Sequence, residues 1–186
     1  VVRAKLISSG YHVISYDRLL YQNVKSLSIP ANSYTFIEAD MIDSEIIKQE
    51  IKKCYATVLL AGLVGDPITK KYPEESKIIN DYGVKNVIDI CAENNSQKFI
   101  FVSTCSNYGL IKSSQIANEN FDLKPLSLYA KSKVAAENYI MSLKEKTDMK
   151  PTILRFATAF GLSDRMRFDL TVNEFTRELS IGNDLL

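Results

Sequence analysis

Short apolar runs, each nearly unbroken and each separated from the next by a long polar or helix-like stretch, constrain this chain more than any other feature. They are His12–Tyr16 (HVISY), Thr57–Leu60 (TVLL), Lys98–Val102 (KFIFV) and Pro151–Phe156 (PTILRF). Alternating apolar and polar residues make a strand with one wet face, whereas continuous runs belong to parallel strands buried on both faces. Parallel neighbours need a crossover, and the intervening stretches are long enough to supply one as a helix. Helical patterns cover Val1–Ser9, Ser44–Lys53, Pro73–Asn94, Tyr129–Thr147 and Leu170–Ile181. The alternation predicts an α/β fold, a doubly wound parallel sheet with helices on both faces, whose ligands bind beyond the carboxyl ends of the strands. At 186 residues and 46% hydrophobic content the chain has the material for one such core.

Charge narrows the partners. Lys and Arg number 23 against 22 Asp and Glu, a balance that points to neither nucleic acid nor an acidic membrane. No apolar stretch reaches the roughly 18–20 residues that span a bilayer, and the N-terminus lacks the layout of a signal peptide, so a cytoplasmic location is expected. Cys54, Cys91 and Cys105 show no C-x-x-C spacing. They are expected to form neither a disulfide framework nor a zinc site and to pack as small hydrophobes. His12 is the only histidine and lies in an apolar strand, which disfavours a Ser–His or Cys–His nucleophile system. No metal site is predicted.

Val1 opens directly into a helix pattern that ends at Gly10, with no strand or glycine-rich turn ahead of it. Such a turn lets the backbone of a dinucleotide-binding fold approach a pyrophosphate at a helix N-terminus. None of the seven glycines forms G-x-G-x-x-G, and the only close pair is Gly62 and Gly65. A sheet lacking its first strand, from a truncated chain, is therefore expected.

The chemistry concentrates in two places. Tyr129-Ala-Lys-Ser-Lys133 sets a phenol and an ammonium one helical turn apart, on one face. The same spacing recurs at Tyr21/Lys25 and Tyr108/Lys112, but Tyr21 sits in a polar loop and Tyr108 precedes a glycine at a strand exit. Only Tyr129 heads a strong helix pattern. The second place is Ser103-Thr-Cys-Ser-Asn-Tyr-Gly109, at the exit of the KFIFV strand, where such a sheet presents its site. Oxidising an alcohol requires a base for its proton while hydride leaves to a nicotinamide ring. A tyrosine with a reference pKa of about 10 serves only if a cation such as Lys133 favours the phenolate. Thr104 would hold the substrate oxygen while Tyr129 takes its proton.

These residues resemble the extended short-chain dehydrogenase/reductase family, in particular its NAD-dependent nucleotide-sugar epimerases and dehydratases. S-T-C-S-N-Y-G is similar to that family's strand-end motif, and S-L-Y-A-K-S-K-V-A-A-E to its active-site helix. The resemblance implies Thr104, Tyr129 and Lys133 as the catalytic set, with Tyr129 and Lys133 also contacting the cofactor, which Lys133 orients, Ser103 beside the cofactor and Ser106 beside the substrate. V-I-S-Y-D17 resembles the strand whose terminal acid holds the adenosine ribose, and A-D40-M41 the adenine-contacting segment. L-L-A61-G62-L-V-G resembles the strand end beside the cofactor phosphates, and I-I-N80 a helix Asn that follows it. R155-F156-A-T158-A-F-G161 resembles the segment that leads to the sugar nucleotide, which puts Phe156 with the cofactor and Thr158 with the substrate. Residues 1–161 would then form a Rossmann-like NAD-binding domain without its first strand, and 162–186 the start of an incomplete, smaller substrate-binding region.

Departures from the family pattern refine the expectation. Dehydratases of the family carry Asp-Glu after the catalytic Thr, where this chain has Cys105-Ser106, so elimination of water is disfavoured. Thr158 stands where many members have Asn. Asp17 implies NAD, although Arg18 beside it could accommodate the 2′-phosphate of NADP. Arg165 and Arg167 could clamp a diphosphate or form surface salt bridges, and Asp66 could touch substrate or cap a turn. The predicted function is an epimerase that oxidises and re-reduces a sugar hydroxyl, at C4, of a nucleotide-diphosphate sugar. A reductase or dehydrogenase on the same substrate class, or a non-catalytic fragment acting through a protein partner, are the alternatives. The resemblance also implies a homodimer through the helices near Pro73–Asn94 and Tyr129–Thr147.

Overall fold

A computed structural model describes residues 2–20, 32–94, 98–163 and 166–185. Its strands are all parallel. β1 (Val13–Asp17) pairs with β2 (Tyr34–Glu38) in the register Val13↔Tyr34 to Asp17↔Glu38. β3 (Ala56–Leu59), β4 (Lys98–Thr104) and β5 (Pro151–Phe156) form a second sheet in that order, with Phe99 opposite Pro151 and Thr104 opposite Phe156. The helices are α1 (Val2–Ser8), α2 (Ser44–Ile51), α3 (Asp66–Lys71), α4 (Pro73–Ser76), α5 (Val84–Glu93), α6 (Leu128–Leu143) and α7 (Thr171–Ser180). A π-helical segment, Lys77–Gly83, joins α4 to α5, and a 3₁₀ turn, Cys105–Tyr108, follows β4.

The core forms where β4 meets α5 and α6. Phe99 and Phe101, alternate residues of β4, are fully buried, as the period of two requires for one face of a strand. Val84, Val87, Ile88 and Cys91 repeat at helical spacing on α5 and are buried with them. α6 turns Ala130, Lys133, Ala136, Glu137 and Ile140 inward. Its small residues let the helix lie close, and two of its inward residues are charged. Met41 packs so tightly beside the π segment that a Cβ on Gly83 would lie 2.8 Å from its Cγ.

The predicted strands all form, their ends shifted by one or two residues. β2 and the short α3 were not expected: β2 is five residues long with Phe36 and Glu38 exposed, too brief and too wet to give a continuous apolar run. The described strands show the expected parallel α/β arrangement and fall into two sheets, the second edges of β1 and β3 pairing with no described strand. His12 lies exposed at the mouth of β1, its ring nitrogens 3.0 Å from Asn32 O and 3.0 Å from Thr35 Oγ1. Cys54, Cys91 and Cys105 form no disulfide with one another. Among the described residues, no helix is long and apolar enough to cross a membrane.

Phe99→Ala is expected to destabilise the fold by roughly 3–5 kcal/mol, because the cavity opens at the centre of the core. Ile116→Ala, at a side chain 92% exposed, should stay within about 0.5 kcal/mol. Denaturant unfolding of both variants checks the location of the core.

Candidate active site at the end of β4

The parallel ladder delivers Thr104 to the carboxyl end of β4, opposite Phe156 of β5. There Thr104 caps the 3₁₀ turn: its Oγ1 accepts the Ser106 N–H at 3.2 Å and donates to Ser106 Oγ at 3.2 Å. Thr104 stays half-buried and Ser106 exposed, so both hydroxyls face outward from the sheet end. Gly109 closes the turn at φ +67°, and a Cβ there would lie 2.1 Å from Lys124 O. Only glycine fits that approach.

α6 packs along β4 and this turn. Ser127 caps it, accepting the Ala130 N–H at 3.1 Å, which sets Tyr129 in the first turn, half-buried. Lys133 follows one turn later on the same face and is buried, 5% exposed. Its ammonium donates to Val102 O at 2.9 Å and lies 4.6 Å from the Phe101 ring centroid and 5.8 Å from that of Tyr129. Burial lowers its pKa from the ordinary 10.5 to about 8, against an opposing pull from Glu137. The Tyr108/Lys112 pair shares no helix, since Tyr108 ends the 3₁₀ turn and Lys112 lies beyond it, and Tyr21/Lys25 lies outside the described residues.

A buried ionic network underlies this constellation. Glu137, 3% exposed, accepts from Ser103 Oγ at 2.5 Å and from Asn107 Nδ2 at 2.7 Å. Arg155 of β5 donates to it from Nε at 3.1 and 3.0 Å and from its NH2 at 2.6 Å. Ser103 thus sits with its hydroxyl turned inward, away from the outward-facing Thr104. Neither Glu137 nor Arg155 was singled out from sequence as a site residue. The available signal was charge at inward positions of an otherwise apolar helix and strand, where unpaired ions are almost never buried.

The remaining expected residues lie at other strand ends. Asp17 ends β1, exposed, and its Oδ1 accepts the Leu19 N–H at 2.8 Å. Arg18 forms an ion pair with Asp40 at 2.8 Å, so its guanidinium is already engaged. Met41 is a core residue by its side chain, and its carbonyl accepts from Asn86 Nδ2 at 2.9 Å. Ala61 is exposed just beyond β3. Asn80 is buried, and its carboxamide grips both backbone groups of Leu63, accepting the N–H at 2.8 Å and donating to the carbonyl at 3.0 Å. It also bounds Gly62, at φ +151°, where a Cβ would meet Asn80 Oδ1 at 2.9 Å. Thr158 is exposed past β5. Arg167 pairs with Asp169, at 3.1 and 2.6 Å, and lies against the Gly65 turn that leads into α3. Asp66 opens α3, but its side chain, like Arg165, lies outside the described residues. Among the described residues no group of three or more His, Cys, Asp or Glu could hold a metal ion.

A phenol, a buried ammonium one turn below it and a strand-end hydroxyl form a set suited to moving a proton on and off an alcohol oxygen. The sequence pattern of the NAD dependent epimerase/dehydratase family matches residues 1–180. The dTDP-D-glucose 4,6-dehydratase of Mus musculus is 28% identical over 156 residues, which are 81% of this chain and 44% of that enzyme. The chain thus spans about half the length of the curated relatives it matches. Two crystal structures share the fold. The UDP-glucuronic acid 4-epimerase of Bacillus cereus, solved with UDP-glucuronic acid and NAD, superposes with a TM-score of 0.83 at 22% identity, covering 99% of this chain and 60% of that one. The UDP-glucose 4-epimerase of Thermotoga maritima, solved with UDP-glucose, gives 0.81 at 24% identity over the same shares of the two chains.

The depressed pKa of Lys133 carries a stability signature. Between about 8 and 10.5 the unfolded chain holds a proton that the folded chain has lost, so stability rises with pH across that window. Below about 8 both states are protonated and the burial penalty acts in full. Relative to Lys133→Met, the unsubstituted chain should gain roughly 2–3 kcal/mol from pH 8 to 10.5. Urea unfolding across that range checks it, and a flat difference would contradict the burial of this ammonium.

Proposed function

The chain belongs to the NAD-dependent epimerase/dehydratase family, and from that membership we propose that it is the NAD-binding core of a nucleotide-sugar C4 epimerase. The observation that carries the reading is the placement of Tyr129 and the buried Lys133 on one face of α6, set against the end of β4 where Thr104 lies.

The residues present fit a dinucleotide. Asp17, exposed at the end of β1, offers a carboxylate to a ribose diol. Ala61 and Gly62 offer backbone at the end of β3 that Asn80 holds in place. Arg18 is paired with Asp40, which favours NAD over NADP. Bound there, NAD supplies the acceptor and later the donor of hydride. Thr104 holds the sugar hydroxyl, and Tyr129 takes its proton as base and returns it as acid. Lys133, cationic below about pH 8, favours the phenolate through charge. Thr158 and Arg167, with Ser106, Asp66 and Arg165, are assigned to the nucleotide-sugar side, and residues 162–186 to the start of the smaller substrate-binding region.

The dehydratase relatives support a second reading, elimination of water to a 4-keto-6-deoxy sugar. That step needs an acid and a base beside the ketone, and Cys105-Ser106 replaces the acidic pair after Thr104. We therefore favour epimerisation. Exposed Ile78, Tyr82 and Met141 on the helices flanking the core support a homodimer, which sedimentation equilibrium decides. Three cysteines without a disulfide among them accord with a reducing compartment such as the cytoplasm.

Incubation with NAD and UDP-hexoses or UDP-hexuronates, followed by proton NMR of the anomeric signals, tests the reaction. The C4 epimer should accumulate, and Tyr129→Phe should lower kcat by about 10²–10⁴. A 4-keto-6-deoxy product would replace epimerisation with the second reading, and absence of both NAD and UDP-sugar binding would sink both.

A further inference from the structure

We propose that Glu137 is a positioning residue for this reaction: held by the Arg155 fork, its carboxylate fixes the end of β4 against α6 and so sets Thr104 relative to Tyr129 and Lys133. The inference rests on the epimerase reading for its chemistry but on geometry for its substance. Tyr129, Lys133 and Glu137 succeed one another at one-turn intervals on a single face of α6. Lys133 fastens that face to the backbone of β4 at Val102 O, 2.9 Å away. Glu137 fastens it again, one residue further, through the Ser103 hydroxyl, and then to the 3₁₀ turn through Asn107.

Two attachments at adjacent strand residues fix a rotation as well as a distance. Side chains of Ser103 and Thr104 leave opposite faces of the strand, so holding the Ser103 hydroxyl inward determines where Thr104 points outward. Arg155 lies opposite Ser103 in the ladder, which brings β5 into the same grip. Its other nitrogen donates to the Tyr108 hydroxyl at 3.3 Å and to Glu119 O at 3.2 Å, tying down the turn and the segment that leads toward α6. Asn107 is fully buried and donates to both Ser103 Oγ and Glu137, while its Oδ1 finds no partner among the described residues. Its orientation is therefore imposed by the carboxylate rather than by its own satisfaction. A buried ion pair is weak as a source of stability, since apolar side chains of similar volume often serve as well. Its use here is to specify geometry, and a misplacement of about 1 Å near the chemistry costs on the order of 100-fold in rate.

That distinction sets the test. Glu137→Gln alone leaves Arg155 without its counter-charge and risks unfolding, so the decisive variant is the double substitution Glu137→Met with Arg155→Met, and Arg155→Lys is the milder companion. Thermal midpoints, amide exchange of Thr104–Tyr108, and kcat and KM for epimerisation are read together. The double variant should melt close to the unsubstituted chain, yet exchange about tenfold faster or more at Thr104–Tyr108 and no faster in α5. Its kcat should fall roughly 10–100-fold with KM within about threefold. Arg155→Lys, which keeps the charge and loses the fork, should move exchange and kcat in the same direction by less. If the double variant recovers stability, exchange and kcat together, the network is only structural and the proposal is overturned. Should the double variant fail to fold, an unchanged exchange pattern and kcat in Arg155→Lys would overturn it as well. If the unsubstituted chain shows no turnover, the exchange pattern alone decides the positioning claim and the epimerase reading falls separately.

Discussion

Two charges buried on the inward face of α6 govern the rest of the structure. Lys133 is 5% exposed and Glu137 3% exposed, and a buried ion must find partners or be expelled. The partners available are the Val102 carbonyl, the Ser103 hydroxyl, the Asn107 amide and the Arg155 guanidinium. All of them lie on β4, the turn after it or β5. These contacts seat α6 on the sheet so that both charges are satisfied, with Tyr129 one turn before Lys133 on the same helix face. The chemistry proposed for the surface would thus depend on electrostatics one layer below it.

The same device recurs at other strand ends. Asn80, brought inward by the π-helical segment, holds both backbone groups of Leu63 just past β3. Asn86, on α5, holds the Met41 carbonyl after β2 and is itself held by Ser44 of α2 at 2.9 Å. In each case a polar side chain on a helix binds the backbone or hydroxyl of the loop leaving a strand. Loops are intrinsically among the less stable parts of a fold, and these contacts fix the ones that leave β2 and β3. Breaks in regular helix such as the π segment are frequent at functional sites. Here the break has a definite product, since it carries Asn80 to Leu63 and Gly83 to Met41.

Much of this was legible in the sequence. The unbroken apolar runs disclosed the parallel strands, and the helix pattern behind Tyr129 separated it from Tyr108, whose Lys112 partner sits on no helix. β2 escaped because a short, half-wet strand leaves no continuous apolar signature. Asn80 and Met41 were expected at a cofactor; their side chains are seen engaged with the Leu63 loop and the core, which spacing along the chain does not encode. Glu137 and Arg155 stood in plain view within quoted motifs. Their pairing depends on β5 lying beside β4, and no local pattern reports that.

The central claim is that the carboxyl ends of these strands form one NAD site with Lys133 and Asp17 among its contacts. Calorimetric titration of the chain with NAD tests it most directly, repeated on Asp17→Ala and Lys133→Met. The account predicts saturable one-to-one binding, weakened about tenfold or more by each substitution while the folds stay intact. Binding that neither substitution changes, or no binding at all, would contradict it.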